Sequence, residues 1–251
     1  MNIKKIGLTA LAGALVSVSA NAAELTASGG ASINFTGNEA VNTGNGWTMN
    51  DQVTFTASAE MDNGFVVSTS MRIDESDNTG GVSFDARSMT IDMGDQGTLV
   101  FSGIDGSSVT GSKDDTTPTA GEEAWGDVTG ATAALGGAAN NDMFHYSNSS
   151  LIDGLTLAAS YVPSDKALEE ESSIDYGAEY TTDGGITVGI AMGENNADAD
   201  ASIETSIVYA NMVVADSFTI GFTTSEADSE TANSDVDFQA YGVSYAMSEE
   251  M

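Results

Sequence analysis

The residues of this sequence best placed to do chemistry are six carboxylates in one long polar stretch. The stretch runs over residues 105–141, is rich in glycine, alanine and threonine, and has Lys113 as its single basic residue. Its carboxylates are Asp105, Asp114, Asp115, Glu122, Glu123 and Asp127. A structureless segment of this length inside a compact domain normally indicates either function or a wrong assignment of its structure. We therefore predict that it folds inward and lines a pore held by the rest of the chain.

Other chemistry is poorly supported by the residue types. The chain has one histidine, His145, and no cysteine, so neither a serine–histidine–aspartate triad nor thiol chemistry can be argued. Adjacent carboxylates such as Glu122 and Glu123 do not set the separation that two-carboxylate hydrolysis needs. Loop carboxylates at 114–115 and 198–200 could ligate calcium, but they lack the spacing of an EF-hand loop. Solvated loop acids are the better interpretation, and no cofactor is required.

The charge balance excludes several partners. The chain has 38 acidic and 6 basic residues, which gives a formal net charge of −32. Nucleic acids and anionic lipid surfaces would be repelled, whereas cations are expected as counter-ions or cargo. Acidic chains with few aromatic residues can be disordered. Here, however, 41% of the residues are hydrophobic and recur at a regular period, which indicates an ordered fold.

The first 22 residues have the pattern of a secretory signal peptide. Lys4 and Lys5 precede a short apolar run, and Ala20-Asn21-Ala22 supplies a small-x-small cleavage site. The run is too short to span a membrane as a helix. Cleavage would remove two lysines and no acid, so the mature net charge would be 4 − 38 = −34. An exported chain without cysteines has no disulfide scaffold, which leaves secreted soluble proteins and outer-membrane barrels.

Apolar and polar side chains alternate with a period of two over most of the remaining chain. In 174–180, for example, isoleucine, tyrosine and alanine alternate with aspartate, glycine and glutamate. Such runs match the roughly 9 to 11 residues that a tilted strand needs to cross a bilayer. The polar faces suit a water-filled lumen. About twelve strands are predicted, near 24–36, 51–62, 64–74, 82–93, 97–104, 142–148, 154–163, 172–182, 185–194, 201–213, 217–226 and 235–247.

Short turns and longer polar loops alternate between these strands. The short turns include Asp62-Asn63-Gly64 and Asp183-Gly184-Gly185, which supply the positive-φ residues of tight hairpins. This alternation predicts one rim of turns and one rim of loops, as in outer-membrane barrels. The alternative is a secreted soluble β-sandwich adhesin, whose apolar faces would pack together and whose loops would not sort by length. A calcium-binding β-solenoid would need a fixed short repeat, which is absent.

Two predicted strands change the side on which their apolar residues lie. The change falls between Phe238 and Tyr241 in 235–247, and between Phe84 and Met89 in 82–93. Each predicts a β-bulge, and the second leaves the direction of Arg87 open. Tyrosines near strand ends are expected to face outward at the membrane interfaces. They are Tyr161, Tyr180, Tyr209, Tyr241 and Tyr245.

The whole mature chain, from Glu24-Leu25-Thr26-Ala27-Ser28-Gly29 onward, resembles the general bacterial porins of the alphaproteobacterial type. The most specific pieces are 97–103, which runs into the long polar stretch, and 144–161, which leaves it. The resemblance implies one all-β domain over 23–251, a transmembrane antiparallel up-and-down β-barrel of the 16-stranded type. It also implies that the third external loop folds into the lumen, and 105–141 is the third long loop by count. A homotrimer in contact with lipid in the outer membrane of a Gram-negative bacterium is implied as well.

The chain departs from that family at two places. Where the family usually has Arg-Tyr-Asp-Ser-Pro, this chain has His145-Tyr146-Ser147-Asn148-Ser149, so His145 is expected to replace a lumen arginine. Barrels of this type close on a terminal aromatic residue, whereas this chain stops at Ser248-Glu249-Glu250-Met251. We expect a fragment that lacks about four C-terminal strands of such a barrel. A complete 12-stranded barrel is the alternative.

These features predict a channel for passive diffusion and no enzyme. The loop acids, chiefly Glu122, Glu123 and Asp127, are expected at the constriction. Arg72 is expected on the opposing wall, and Arg87 and His145 are further candidates for the pore wall. The excess of carboxylates should raise the local cation concentration and favour cations over anions. Small hydrophilic solutes and ions are the expected cargo.

Overall fold

Period-two alternation in this chain produces long strands whose two faces meet different surroundings. The computed structural model describes residues 24–35, 47–75, 82–113, 116–118, 141–164, 171–196, 202–214, 217–230 and 235–246. Its strands are β1 (Glu24–Phe35), β2 (Trp47–Glu60), β3 (Val66–Glu75), β4 (Val82–Asp92), β5 (Thr98–Ile104), β6 (Met143–Ile152), β7 (Leu155–Val162), β8 (Ser173–Thr181), β9 (Ile186–Asn195), β10 (Ile203–Val214), β11 (Phe218–Ser229) and β12 (Val236–Tyr245). The signal peptide predicted over 1–22 lies outside these residues. Within them, no helix has the length and hydropathy of a membrane span.

The all-β, up-and-down prediction is confirmed, and all twelve predicted strands are present. β2 begins earlier than predicted, and β6 and β11 end later, at Ile152 and Ser229. The tight turns use glycines in the left-handed region, as at Gly64 (φ 83°) and Gly185 (φ 77°). Glycine suits these turn positions because a residue with a Cβ is strained at positive φ.

The chain divides into two compact units, and the first contains β1–β4 together with Gly103–Asp105. Its strands pair antiparallel with their sequence neighbours. One row of directly opposed residues crosses all four strands, from Ala27 through Phe55 and Met71 to Arg87. Because directly opposed residues share a face, this row belongs to the apolar side of the unit. We call this side the outward face of the first unit.

The bulge predicted in β4 is confirmed at Asp85. Arg72 of β3 lies opposite Ala86, and the next residue, Ile73, lies opposite Phe84, so Asp85 is the extra residue. Because of this extra residue, the side chains of Phe84 and Met89 lie on the same, apolar side of the strand. It also settles the direction of Arg87, which lies opposite Met71 on the outward face.

The bulge predicted in β12 is wrong, because β11 and β12 pair without a shift from Ala227↔Val236 to Phe218↔Tyr245. Val236 and Phe238 lie opposite Ala227 and Ser225, which are buried. Phe238 packs there against Ala227, together with Ile203 of β10. The apolar residues of β12 therefore occupy both faces of a regular strand.

The second unit contains β5 up to Ser102, the segment from Gly106, and β6–β12. Its outward face is apolar and exposed, with Tyr176 at 55% and Tyr241 at 76% relative exposure. Its opposite face, here called the loop face, carries fully buried polar residues such as Asp175 and Thr223. Large exposed apolar surfaces are not tolerated on a soluble β-sandwich, whose apolar faces pack against each other. The arrangement therefore favours a barrel wall with lipid on its outward side.

Tyr209 was predicted to face outward, and this prediction is wrong. It is 2% exposed and packs on the loop face with Val109, Ala191 and Ile207. It lies opposite Gly189 in the register, where the missing side chain leaves room for the tyrosine ring. The sequence of β10 could not show this, because apolar residues occur on both of its faces.

Candidate functional site

The long polar segment leaves β5 and returns to β6 through two residues with positive φ. They are Asp105 (φ 56°) and Asp142 (φ 53°). Aspartate tolerates this left-handed conformation better than most side chains. Between them, residues 106–113 and 116–118 are described. They lie on the loop face of the second unit, as the contacts below show.

The first anchor of this segment is at Val109 and Thr110. The Val109 amide donates to Ser160 Oγ at 3.0 Å. Thr110 donates twice to Asp175 Oδ2, from its amide at 3.2 Å and from Oγ1 at 2.6 Å. Asp175 is only 1% exposed, so these charge-assisted bonds replace water that the buried carboxylate has lost.

A second anchor joins Lys113 to two strands. Lys113 Nζ lies 2.8 Å from Glu179 Oε2 of β8, and the Tyr209 hydroxyl of β10 donates to the same oxygen. The ammonium also lies 5.6 Å from the centre of the Tyr209 ring, within cation–π range. Lys113 and Glu179 are each less than one third exposed. The lysine charge is therefore neutralised in place by a half-buried carboxylate.

The third anchor is at residues 116–118. Both threonine hydroxyls reach Thr223 Oγ1, from Thr116 at 3.1 Å and from Thr117 at 2.9 Å. Asn211 Nδ2 donates to the Thr116 carbonyl at 2.9 Å. The segment is thus tied to β10 and β11 as well as to β7 and β8.

Glycines on the loop face give the segment its space. Gly221 and Gly242 lie opposite each other in β11 and β12, and Pro118 occupies the space that a Cβ on either would need. At Gly177 a Cβ would lie 2.8 Å from Val109 Cγ1. Glycine within a strand commonly marks the close approach of another backbone. These glycines therefore leave the room in which the loop packs against the strands.

The first unit carries a charge cluster of its own. Arg72 forms ion pairs with Asp85, the bulge residue, and with Asp105, whose Oδ2 lies 2.9 Å from Arg72 Nη2. Arg72 was expected on a wall opposite the loop acids. Among the described loop acids it contacts Asp105, the first acid of the loop, directly, and its position relative to the later acids stays a prediction. The bulge contributes to this cluster because Asp85 is the residue it inserts.

His145 lies on the loop face of β6, opposite Ser160. We call residues 106–113 and 116–118 the docked segment. His145 borders a cavity of about 140 Å³ between this segment and the strands, and Lys113 and Glu179 line the same cavity. The role of His145 as a pore-wall residue stays a prediction. The cavity separates the loop from the wall at this point.

Arg87 lies on the outward face, away from the side that carries Arg72. The other loop acids of the prediction, Asp114, Asp115, Glu122, Glu123 and Asp127, lie outside the described residues. So does the 198–200 segment considered for calcium. In the described ranges, no group of three or more His, Cys, Asp or Glu residues is arranged to hold a metal.

Sequence reasoning missed Asp175, Glu179 and Thr223 as partners of the loop. Asp175 and Glu179 were recognised on the polar face of their strand, but nothing in the spacing indicated what would cover them. One signal was available: glycines at 177, 189 and 193 lie on the same face as these acids. Such glycines mark a place that another backbone or a ring approaches closely.

Comparisons with known proteins agree with this geometry. Residues 7–250 match a family model described as Gram-negative porin. A triple mutant of the Rhodopseudomonas blastica porin is similar with a TM-score of 0.52 and 14% sequence identity, over 90% of this chain and 91% of that chain. A quintuple mutant of the Rh. blastica porin has a TM-score of 0.51 and 13% identity over the same shares of both chains. At these identities the similarity shows the fold. No curated protein matches the sequence.

Proposed function

The chain belongs to the Gram-negative porin family, and from that membership we propose that its outer-membrane channel passes cations in preference to anions. Porins are water-filled barrels through which small solutes diffuse. The selectivity of such a channel depends on the charges that line it. The proposal therefore concerns the sign of the charge on the inner side of this wall.

One observation carries the proposal: the described basic residues on the polar faces of the two units are already neutralised. Arg72 is paired with two carboxylates, Asp85 and Asp105. Lys113 is paired with Glu179. Basic residues held in this way offer little attraction to anions. The sequence has 38 acidic against 6 basic residues, so carboxylates dominate what remains.

The contacts of the docked segment support our placement of the constriction, the part of the channel that selects between ions. Its anchors at Thr110, Lys113 and Thr117 bring it onto the loop face, so it narrows the inner space on that side. We place the acids that continue this loop, Glu122, Glu123 and Asp127 together with Asp114 and Asp115, at the constriction. Asp105 and Arg72 lie where the loop leaves β5. His145 lines the wall behind the segment.

The cargo and the assembly follow from the family. We propose that small hydrophilic solutes and inorganic ions are the cargo, and that three copies of the chain form a homotrimer surrounded by outer-membrane lipid. Residues 1–22 would direct export and be removed. No residue is assigned a catalytic role.

The test is single-channel recording of the full chain in a planar bilayer under a KCl gradient. We expect stepwise conductance with a reversal potential of cation-selective sign. Raising the ionic strength should weaken the selectivity, because screening shortens the reach of the wall charges. An anion-selective reversal potential would contradict the charge assignment, and a lack of any conductance would contradict the channel itself.

A further inference from the structure

The outward face of the second unit contains a groove of about 370 Å³ that crosses β7–β11. Two of the side chains that line it are short, Ala178 of β8 and Ala210 of β10. Ala210 lies between Val188 and Phe222 in the strand register. Because larger side chains flank the short ones, the outward surface is concave at this place.

The groove suits a hydrocarbon chain. The side chains at its edges are apolar, namely Leu155, Val188, Ile190, Val208 and Phe222. Glu179 and Tyr209 also border it, although their side chains meet on the loop face. On a transmembrane barrel the outward face meets the acyl chains of lipids. A chain lying in a groove contacts side chains on both flanks as well as beneath it, so it gains more dispersion contacts than a chain on a level surface.

One end of the groove reaches the rim of short turns at Tyr180. This tyrosine is the last residue but one of β8 and lies opposite Leu155, the first residue of β7. A Cβ on Gly154 would lie 3.2 Å from Tyr180 Cε2, so the ring packs against the turn before β7. Val208 lies six residues before the end of β10, and Phe222 is the fifth residue of β11. The groove therefore runs from a tyrosine at the interface toward the apolar middle of the wall.

The charges at this end of the groove have one sign. The turns on either side of Tyr180 each carry an exposed carboxylate, Asp153 and Asp183. No lysine or arginine occurs in β7–β11 or in the turns at 153–154 and 182–185. Two carboxylates without a basic neighbour repel an anionic headgroup and attract a cationic one. The complementary lipid is therefore one whose headgroup contains an ammonium group.

We propose that this groove binds an acyl chain of a glycerophospholipid whose headgroup contains an ammonium group. The acyl chain lies over Ala178 and Ala210, between the apolar edges. The Tyr180 hydroxyl donates to an ester or phosphate oxygen of the lipid, as tyrosine does where one end of its ring is apolar and the other is wet. Asp153 and Asp183 attract the ammonium group. The inference rests on the outer-membrane location proposed above and adds one retained lipid to a wall that other lipids contact only transiently.

The test is native mass spectrometry of the full chain in mild detergent with equal amounts of phosphatidylethanolamine and phosphatidylglycerol. We expect the unchanged chain to retain phosphatidylethanolamine. In Ala210→Leu the larger side chain fills the groove, and retention should fall about ten-fold, since excluding about two methylene groups from an apolar contact has an effect of this size. Ala159→Leu is the matched control, because it adds the same bulk to the outward face at a residue that does not line the groove. Equal retention by Ala210→Leu and the unchanged chain would overturn the proposal.

The headgroup is tested by replacing Asp153 and Asp183 together with asparagine. Because both carboxylates are exposed, the preference for phosphatidylethanolamine over phosphatidylglycerol should fall by up to about five-fold. Equal retention of the two lipids by the unchanged chain would show only unselective lipid contact and would overturn the proposal.

Tyr180→Phe provides a second variant if Ala210→Leu does not fold. It keeps the ring against Gly154 and removes only the hydroxyl, so retention of phosphatidylethanolamine should weaken while the fold is kept. Retention equal to that of the unchanged chain would contradict the role of the hydroxyl. Conductance and ion selectivity of both variants should match those of the unchanged chain, because the groove lies on the outward face. A channel without conductance and a groove without lipid are therefore separate results.

Discussion

Arg72 Nη2 of β3 lies 2.9 Å from Oδ2 of Asp105, the residue at which the long loop leaves β5. Asp85, inserted by the β-bulge of β4, is paired with the same guanidinium. One arginine therefore joins a strand, a bulge and the start of the loop. Its charge is shared between two carboxylates, so we expect it to contribute little positive potential on the polar side of this unit.

Removing this arginine should make the channel more cation-selective. In Arg72→Met, Asp85 and Asp105 lose their common partner and present two uncompensated charges. A unit charge acts on an ion about 4 Å away with about 1 kcal/mol in water, which is about a five-fold effect for each ion. Because the effect has opposite sign for K⁺ and Cl⁻, the permeability ratio of K⁺ to Cl⁻ should rise by up to about thirty-fold. The reversal potential measures this change. Arg87→Met is the matched control, because the same charge is lost from the outward face, and an equal shift in both variants would contradict the assignment.

The Lys113–Glu179 pair should stabilise the docked loop by a measurable coupling energy. A double-mutant cycle with Lys113→Met and Glu179→Gln isolates the interaction. Because both side chains are about 30% exposed, we expect a coupling of about 1 kcal/mol in the free energy of unfolding. Urea unfolding in detergent supplies the four values. Strictly additive effects would show that the contact does not contribute to docking.

A side chain at Gly242 should displace the loop. In Gly242→Ala the new Cβ meets the Pro118 carbonyl and the Thr117 methyl group. Overpacking of this kind costs about 1–3 kcal/mol, and relief requires the segment to move away from the wall, so single-channel conductance should fall. Gly30→Ala is the control, because a Cβ there meets no described atom within 4 Å. Unchanged conductance in Gly242→Ala would mean that the loop does not pack against this glycine.

Thr110→Val should destabilise the protein through Asp175. The variant keeps the shape of the side chain and the amide bond, but removes the 2.6 Å hydroxyl donor from a carboxylate that is 1% exposed. A buried acceptor that loses its donor costs about 1–3 kcal/mol. The unfolding midpoint should fall accordingly. Thr26→Val, which alters an exposed hydroxyl with a long 3.5 Å contact, should have little effect, and equal losses in both would indicate a general cost of valine.

Alternation in the sequence was enough to predict the strands and most of their faces. In β8, for example, Tyr176 and Asp175 lie on opposite faces as their positions predict. It also indicated the bulge in β4, since Phe84 and Met89 can share a side only if one residue is inserted. The reason is physical: successive side chains of a strand point to opposite faces, so a strand with one apolar and one polar face has an alternating order of residues.

Where apolar residues occupy both faces, alternation carried no information. Tyr209 and Phe238 were misjudged for this reason, because each packs beneath neighbours that are distant in sequence. The partners of the loop depended on the same kind of contact. Thr110 and Asp175 are 65 residues apart in the sequence, and Thr117 and Thr223 are 106 residues apart.

The sequence by itself determined that the chain is a long-stranded, acidic barrel wall with one extended polar loop, because period, turn chemistry and charge are local properties. Only the tertiary structure decided which carboxylates hold the loop, that Arg72 contacts Asp105, and that Arg87 faces outward. Those outcomes depend on register across strands and on the room left by glycines such as Gly221 and Gly242. Register and space are properties of the assembled sheet, and no window of neighbouring residues contains them.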